Sequence, residues 1–122
     1  MMKANPQNSS DKQIIATALK RAIDFMGIKT AQLAKTFNVS VSTLNRDFQN
    51  GIEPESLKGQ VSLLVIRMYR SLSAISGNDD EFVRHFLNTD NNYFGQKPIN
   101  VIKSMEGLVS VNQYLDAMRG KV

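Results

Sequence analysis

The side chains with the clearest chemical potential lie between residues 32 and 49, where polar and basic residues suited to nucleic acid recur at helical spacing. An arginine can donate two hydrogen bonds to guanine, Asn and Gln can bind adenine in two places, and Ser or Thr can reach a phosphate or a base edge. The outward positions of this segment carry these residue types. The predicted DNA contacts are Gln32, Lys35, Ser40, Ser42, Thr43, Asn45, Arg46 and Gln49.

Two short helices are needed to position these residues, and the sequence predicts them over about 31–37 and 41–50, each preceded by a hydroxyl residue that can cap it. Such a pair, joined by about three residues, is the pattern of a helix-turn-helix, whose second helix enters the major groove. The same pattern also serves as plain helical packing or as a dimer surface. Arg46 is the only cation on the second helix, and Asp47 stands beside it. DNA binding is therefore expected to be weak in a monomer and to depend on dimerisation.

The excess positive charge lies in the same half of the chain. The 122 residues carry a formal net charge of +4. Residues 1–52 contain seven Lys or Arg and three Asp or Glu, whereas residues 53–122 contain eight of each kind. This asymmetry favours contact between the first half and a polyanion.

The sequence offers no good candidate for catalysis, for a metal site or for a cofactor site. It has no cysteine, which excludes disulfides, thiolate zinc sites and cysteine nucleophiles. The single histidine, His85, lies on a helix with an apolar face, and the acids at 79–81 fall in a first helical turn, where they complement the helix dipole. No glycine-rich turn could bind a phosphate. The protein is therefore predicted not to be an enzyme and to need no cofactor.

Apolar residues recur at helical spacing along the rest of the chain, which predicts an all-α protein. Further helices are expected over about 11–26, 55–76, 80–87, 98–105 and 106–118. The helix over 55–76 is apolar on more than one face, which is typical of a central helix. The residues expected to face inward include Val41, Leu57, Phe82, Met105 and Met118, with the periodic Ile, Leu and Val positions.

A series of motifs begins in the second helix of the predicted pair and continues to the C-terminus, in segments 41–46, 53–56, 86–89, 91–95, 97–99 and 107–115. Taken together, these segments resemble the Xre/MbcA/ParS antitoxins. The resemblance covers about residues 12–120. It is most specific near the C-terminus, where an aromatic-leucine pair, an asparagine turn, a proline-started helix and a glycine-containing helix follow in order. The family often has Trp-Leu where this chain has Phe86-Leu87, and usually Pro-Asn where it has Asp90-Asn91.

This resemblance implies an antitoxin of a type II toxin–antitoxin system, with an Xre-like helix-turn-helix, a long central helix and a small helical toxin-binding domain. The implied partner is a RES-type toxin, which consumes NAD or transfers ADP-ribose from it and whose NAD-binding cleft the antitoxin covers. Many members also bind operator DNA as homodimers and repress their own operon. The chain is accordingly divided into a disordered lead over 1–10, a DNA-binding region over 11–52 and a toxin-binding domain over 53–122.

The predicted toxin contacts lie in the 88–97 loop and in the C-terminal tail. Tyr93 and Phe94 suit an interface because aromatic side chains dominate interface energetics, although Phe94 could equally fill the domain's own core. The basic tail either enters an anion-binding cleft, such as one for NAD phosphates, or frays. The predicted toxin-binding residues are Asn91, Tyr93, Phe94, Lys97, Arg119 and Lys121.

Two other functions stay open on the sequence. One is a stand-alone, phage-like transcriptional regulator whose C-terminal helices dimerise, and the other is an interaction module that has lost DNA binding. No apolar run approaches the roughly 20 residues that span a bilayer, and the N-terminus has no apolar stretch typical of a signal sequence. Together with the lack of cysteine, these features predict a cytoplasmic protein with no membrane partner.

Overall fold

The computed structural model describes residues 6–120, which form seven α-helices and no β-strand apart from an isolated bridge between Asn91 and Gln96. The all-α prediction is therefore confirmed. No helix in this range is both long enough and apolar enough to cross a bilayer. The helices are α1 (Pro6–Met26), α2 (Thr30–Phe37), α3 (Val41–Asn50), α4 (Leu57–Ser76), α5 (Asp80–Leu87), α6 (Pro98–Val101) and α7 (Met105–Met118).

The first helix begins earlier than the sequence pattern favours. α1 starts at Pro6, and a proline is well tolerated in the first turn, where a backbone N–H has no helical partner. Residues 6–10, assigned above to a disordered lead, are therefore helical, and residues 1–5 lie outside the described range. Residues 7–10 are polar, so apolar periodicity could not mark this start.

Short polar side chains fix where the later helices begin. Ser40, Ser56 and Ser104 each accept a hydrogen bond from the backbone N–H three residues further on, at the starts of α3, α4 and α7. Asp79 accepts hydrogen bonds from the N–H groups two and three residues further on, at the start of α5. These caps satisfy N–H groups that a helix leaves without partners. Because Ser56 is the cap, α4 begins at Leu57, two residues later than the sequence favours.

The long helix α4 is the centre of the fold, as its apolar pattern predicts. It packs most extensively against α1 and α7. Val65, Met68 and Leu72 of α4 are buried, as are Leu19 of α1 and Leu115 of α7. Burial of one such side chain contributes about 1.5–3 kcal/mol to stability.

One continuous core crosses the expected domain boundary at residues 52 and 53, because buried side chains from α1 to α7 belong to a single cluster. Polar contacts join the same two regions. The Thr36 hydroxyl of α2 donates to the backbone oxygen of Ile102 at 2.6 Å. The Arg84 guanidinium of α5 donates to the backbone oxygens of Asp24 and Phe25 at the end of α1, at 2.9 and 3.2 Å.

Five residues that the apolar pattern assigns to the interior are exposed instead, so that part of the prediction is wrong. All five lie in the first or last turn of a helix, where periodicity identifies a face but cannot show whether a neighbouring element covers it. They are Val41, Leu57 and Met105 at the first positions of α3, α4 and α7, Phe82 in the first turn of α5, and Met118 at the end of α7.

Two glycines let other parts of the chain pass very close to a helix. A Cβ atom at Gly107, in the first turn of α7, would overlap the carbonyl oxygen of Val101. A Cβ atom at Gly59, in the first turn of α4, would overlap the carbonyl oxygens of Glu53 and Pro54. Both helix positions therefore require glycine because the preceding turn leaves no space for a side chain, and not because of an unusual backbone angle.

Gly107→Ala is expected to lower the free energy of unfolding by about 1–3 kcal/mol, because the added methyl group forces the Val101 carbonyl to move. This expected loss is the net change, after the roughly 1 kcal/mol by which alanine favours a helix over glycine. Denaturant unfolding of the full chain measures the difference. Ser110→Ala, at an exposed position of the same helix, is the matched control and should change stability by less than about 0.5 kcal/mol. A Gly107→Ala protein as stable as the parent would contradict the prediction.

Candidate functional site

Helix α3 turns one polar face to solvent. Leu44 is buried and Phe48 is half-buried, so these residues attach the helix to the rest of the fold. The opposite face holds four of the predicted DNA contacts, all of them exposed. These are Ser42, Asn45, Arg46 and Gln49.

The first turn of α3 forms a small hydrogen-bonded chain. The Ser40 hydroxyl accepts from the Thr43 N–H at 3.1 Å and donates to the Thr43 hydroxyl at 2.9 Å. The Arg46 guanidinium donates to that same hydroxyl at 3.3 Å. Ser40 and half-buried Thr43 therefore hold the start of the helix and orient Arg46, while most of its donors stay free.

The two predicted contacts on α2 differ in their environment. Lys29, not Thr30, precedes the helix, and the Gln32 side-chain oxygen accepts a hydrogen bond from the Lys29 N–H at 2.9 Å. Gln32 is half-buried and caps the helix start, which leaves its amide NH₂ to donate elsewhere. Lys35 is exposed in the last turn.

The one acidic residue of α3 points away from the polar face. The Asp47 carboxylate lies 3.1 Å from the Lys58 ammonium of α4, and only 18% of its side chain is exposed. Its charge is therefore neutralised next to the core. The position of Asp47 beside Arg46 in the sequence predicts that its carboxylate repels a polyanion. Because the side chain points away from the polar face, this repulsion is not expected at that face.

Four aromatic rings form a cluster on the surface between α5, the 91–96 loop and α7; this aromatic cluster comprises Phe86, Tyr93, Phe94 and Tyr114. The Tyr114 ring centroid lies 4.9 Å from that of Tyr93, 5.1 Å from that of Phe94 and 6.4 Å from that of Phe86. Such spacings are those of favourable ring contacts. Tyr114 is therefore the residue that joins the loop to the helices.

The loop that carries two of these rings is closed by its own hydrogen bonds. The Asn91 side-chain oxygen accepts from the Tyr93 N–H at 2.8 Å. The Asn91 carbonyl accepts from the N–H of Gly95 at 2.8 Å, and the Asn91 N–H donates to the Gln96 carbonyl at 3.1 Å. Gly95 has a positive φ of 72°, which a side chain would strain. Asn91 thus fixes the loop conformation.

Tyr93 is the most exposed ring of the aromatic cluster, with 72% of its surface open to solvent. Phe94 is half-buried and packs against the core. The structure therefore places Tyr93 where a partner can reach it, and gives Phe94 part of the core-filling role that the sequence left open.

The remaining predicted toxin contacts are not brought together. Lys97 is exposed and precedes α6. The Arg119 guanidinium folds back to donate to the Ser71 hydroxyl of α4 at 3.0 Å. Lys121 lies outside the described residues.

Sequence reasoning missed Tyr114 and the exposure of Phe82. Tyr114 adjoins the buried Leu115 on α7, and its amphipathic ring one position off the apolar stripe was the available signal. A cleft of about 180 Å³ lies beside the aromatic cluster, lined by Phe82, His85, Phe86, Thr89, Asp90 and Asn91. His85 is exposed at this cleft. Within residues 6–120, no three His, Cys, Asp or Glu side chains are placed to hold a metal ion.

Residues 71–121 match the family model described as the antitoxin Xre/MbcA/ParS C-terminal toxin-binding domain. Among curated proteins, none matches the chain. The matched segment comprises the last turns of α4 and all of α5, α6 and α7, and so contains the whole aromatic cluster. The C-terminal helices are therefore similar to a toxin-binding domain. Over this segment the chain is similar to the Xre/MbcA/ParS antitoxins, which confirms the resemblance there and supports an antitoxin role in a toxin–antitoxin system.

Truncation of Tyr114 is expected to cost more stability than truncation of Tyr93. Tyr114→Ala removes contacts with three rings and should lower the unfolding free energy by at least about 2 kcal/mol. Tyr93→Ala removes a mostly exposed ring and should cost less than about 1 kcal/mol. Thermal unfolding of the two variants makes the comparison, and equal losses would show that the loop ring is structural.

Proposed function

We propose that the chain is the antitoxin of a type II toxin–antitoxin system and neutralises a RES-type toxin, which consumes NAD or transfers ADP-ribose from it. The observation that supports this proposal is the exposed aromatic cluster inside the segment that matches the toxin-binding domain. In this proposal the cluster docks on the toxin and covers its NAD-binding cleft.

The aromatic cluster suits this task because it combines exposure with rigidity. Aromatic anchors carry much of the energy of protein interfaces. Tyr93 is held by ring contacts with Phe94 and Tyr114, and its loop is closed by Asn91. A pre-ordered anchor loses little conformational entropy on binding, so more of its contact energy appears as affinity. The adjacent cleft offers a recess for a toxin side chain.

The predicted polar contacts complete the proposed surface. Asn91 positions the loop, and Lys97 stands exposed on the far side of it. Arg119 is anchored to Ser71, and Lys121 follows it in the sequence. We propose that these four residues contribute less to the free energy of toxin binding than Tyr93 and Phe94 do.

Operator binding and repression form the second part of the proposal. The α2–α3 pair presents Arg46, Asn45 and Gln49 on one exposed face, with Lys35 on the preceding helix. One arginine on the recognition face supplies limited affinity, so binding as a homodimer to two half-sites is proposed. A DNA-binding antitoxin would act in the cytoplasm.

Tyr93→Ala is expected to abolish neutralisation and to weaken toxin binding at least tenfold, which corresponds to about 1.4 kcal/mol or more. The adjacent reading frame is expressed alone, with the parent chain and with the variant, and colony formation is compared. Arg46→Ala is the control and should still rescue growth. A neighbour that is harmless alone, or that remains toxic beside the parent chain, would contradict the proposal and favour a stand-alone regulator.

Arg46→Ala is expected to weaken operator binding by about 1–3 kcal/mol, because it removes the one cation of the exposed α3 face. Lys35→Ala should reduce the salt dependence of binding by about one counterion. Fluorescence anisotropy with the DNA upstream of the reading frame measures both, with Tyr93→Ala as the control that keeps full affinity. Unchanged affinity in Arg46→Ala would remove α3 from the DNA interface.

A further inference from the structure

A large groove lies away from the aromatic cluster, where the α2–α3 turn, the 51–56 loop and the α6–α7 turn meet. Its volume is about 1040 Å³, at the upper end of the range of ligand pockets. Hydrogen bonding holds two of its walls together, because Thr36 of α2 donates to Ile102 before the α6–α7 turn. We call this opening the basic groove.

The apolar wall of the basic groove is left exposed by residues 6–120. Leu57 is 64% exposed and Met105 is 39% exposed, and both line the groove. Each is the first residue of a long helix, α4 or α7. Half-buried Phe37 and Val39 continue the same wall. Two exposed side chains at core-like positions thus converge on one opening, which is the mark of a contact surface.

The charge of the groove selects an acidic occupant. Its two carboxylates are already paired, Glu53 with Lys12 at 3.6 Å and Asp47 with Lys58 at 3.1 Å. Two more lysines line the groove and make no ion pair within the described range, Lys35 and Lys103. These two ammonium groups remain available for an acidic partner.

The opposite end of the molecule carries a complementary feature, the first turn of α5, which we call the acidic turn (residues 79–82). Phe82 is 48% exposed there, beside exposed Asp79, Asp80 and Glu81. Asp80 lies 3.9 Å from Arg84, and Glu81 makes no ion pair within residues 6–120. The 20 residues of α4 separate the groove from the acidic turn by about 30 Å. One chain therefore cannot fill its own groove.

We propose that two copies of this chain associate head to tail, with the acidic turn of one copy in the basic groove of the next. Phe82 packs beside Leu57 and Met105, and the carboxylates of Asp80 and Glu81 face Lys35 and Lys103. The two surfaces of this contact differ, so each copy keeps a free groove at one end and a free turn at the other. Such a contact adds copies in sequence unless the chain of copies closes into a ring.

Analytical ultracentrifugation of the full chain tests the proposal, from about 10 μM to about 1 mM, a range suited to a small interface. The weight-average mass is expected to rise with concentration beyond that of two chains in about 50 mM salt, and to fall back in about 500 mM salt, where exposed charges are screened. Phe82→Ser should weaken the association at least tenfold.

Charge reversal makes the test specific. Lys103→Glu and Glu81→Lys should each weaken self-association at least tenfold, because like charges then meet. An equimolar mixture of these two variants should regain the parent mass, since each groove again meets a turn of opposite charge. Arg70→Glu, at an exposed position of α4 outside both surfaces, is the control and should behave as the parent. Lys35 is left intact because it is also a proposed DNA contact.

Two outcomes would overturn the head-to-tail contact. One is a mass that stays at one chain, or saturates at two chains, over the whole range in low salt. The other is an association that the two charge reversals leave unchanged. A mass that saturates at two chains would still agree with the homodimer of the proposed operator complex, so the two proposals fail separately.

Discussion

The packing of α4 against α1 and α7 is the constraint on which the other features depend. Asn112 of α7 is buried, and its amide donates to the backbone oxygen of Leu64 in α4 at 3.1 Å. Arg67 of α4 pairs with Asp116 of α7. A buried amide has few alternative hydrogen-bond partners, so this contact fixes how α4 and α7 align. That alignment places Tyr114 against the 91–96 loop, while α1, which packs against both α4 and α3, positions the α2–α3 pair.

Most of the fold follows from patterns that act within one helix. The stripes that contain Leu19, Val65 and Leu115 predict helices whose inward faces are buried, and the hydroxyl residue Ser40 predicts where α3 begins. The sequence could not show how much of each helix the neighbouring elements cover. Leu57 and Met105 occupy positions typical of a core, but they lie at helix starts that no other element within residues 6–120 covers.

The candidate site, like the fold, was predictable from the sequence only where a pattern lies within one helix or loop. Helical spacing alone places Asn45 and Arg46 on an exposed face, and loop composition predicts the exposure of Tyr93. The pairing of Asp47 with Lys58 and the ring contacts of Tyr114 join residues from different elements, and such contacts depend on the tertiary packing. The family match covers residues 71–121 and does not include the α2–α3 pair. The proposal that this pair binds DNA is therefore supported only by the geometry of the pair.

The continuous core has a consequence for how long the chain survives in a cell. Small domains with one core unfold as a unit, and proteases act mainly on the unfolded population. A ligand that binds only the folded chain lowers that population by mass action, wherever on the surface it binds. Thr36 and Ile102 belong to this shared structure, as do the contacts of Arg84 with the end of α1. A partner that binds at either end would therefore slow degradation of the whole chain.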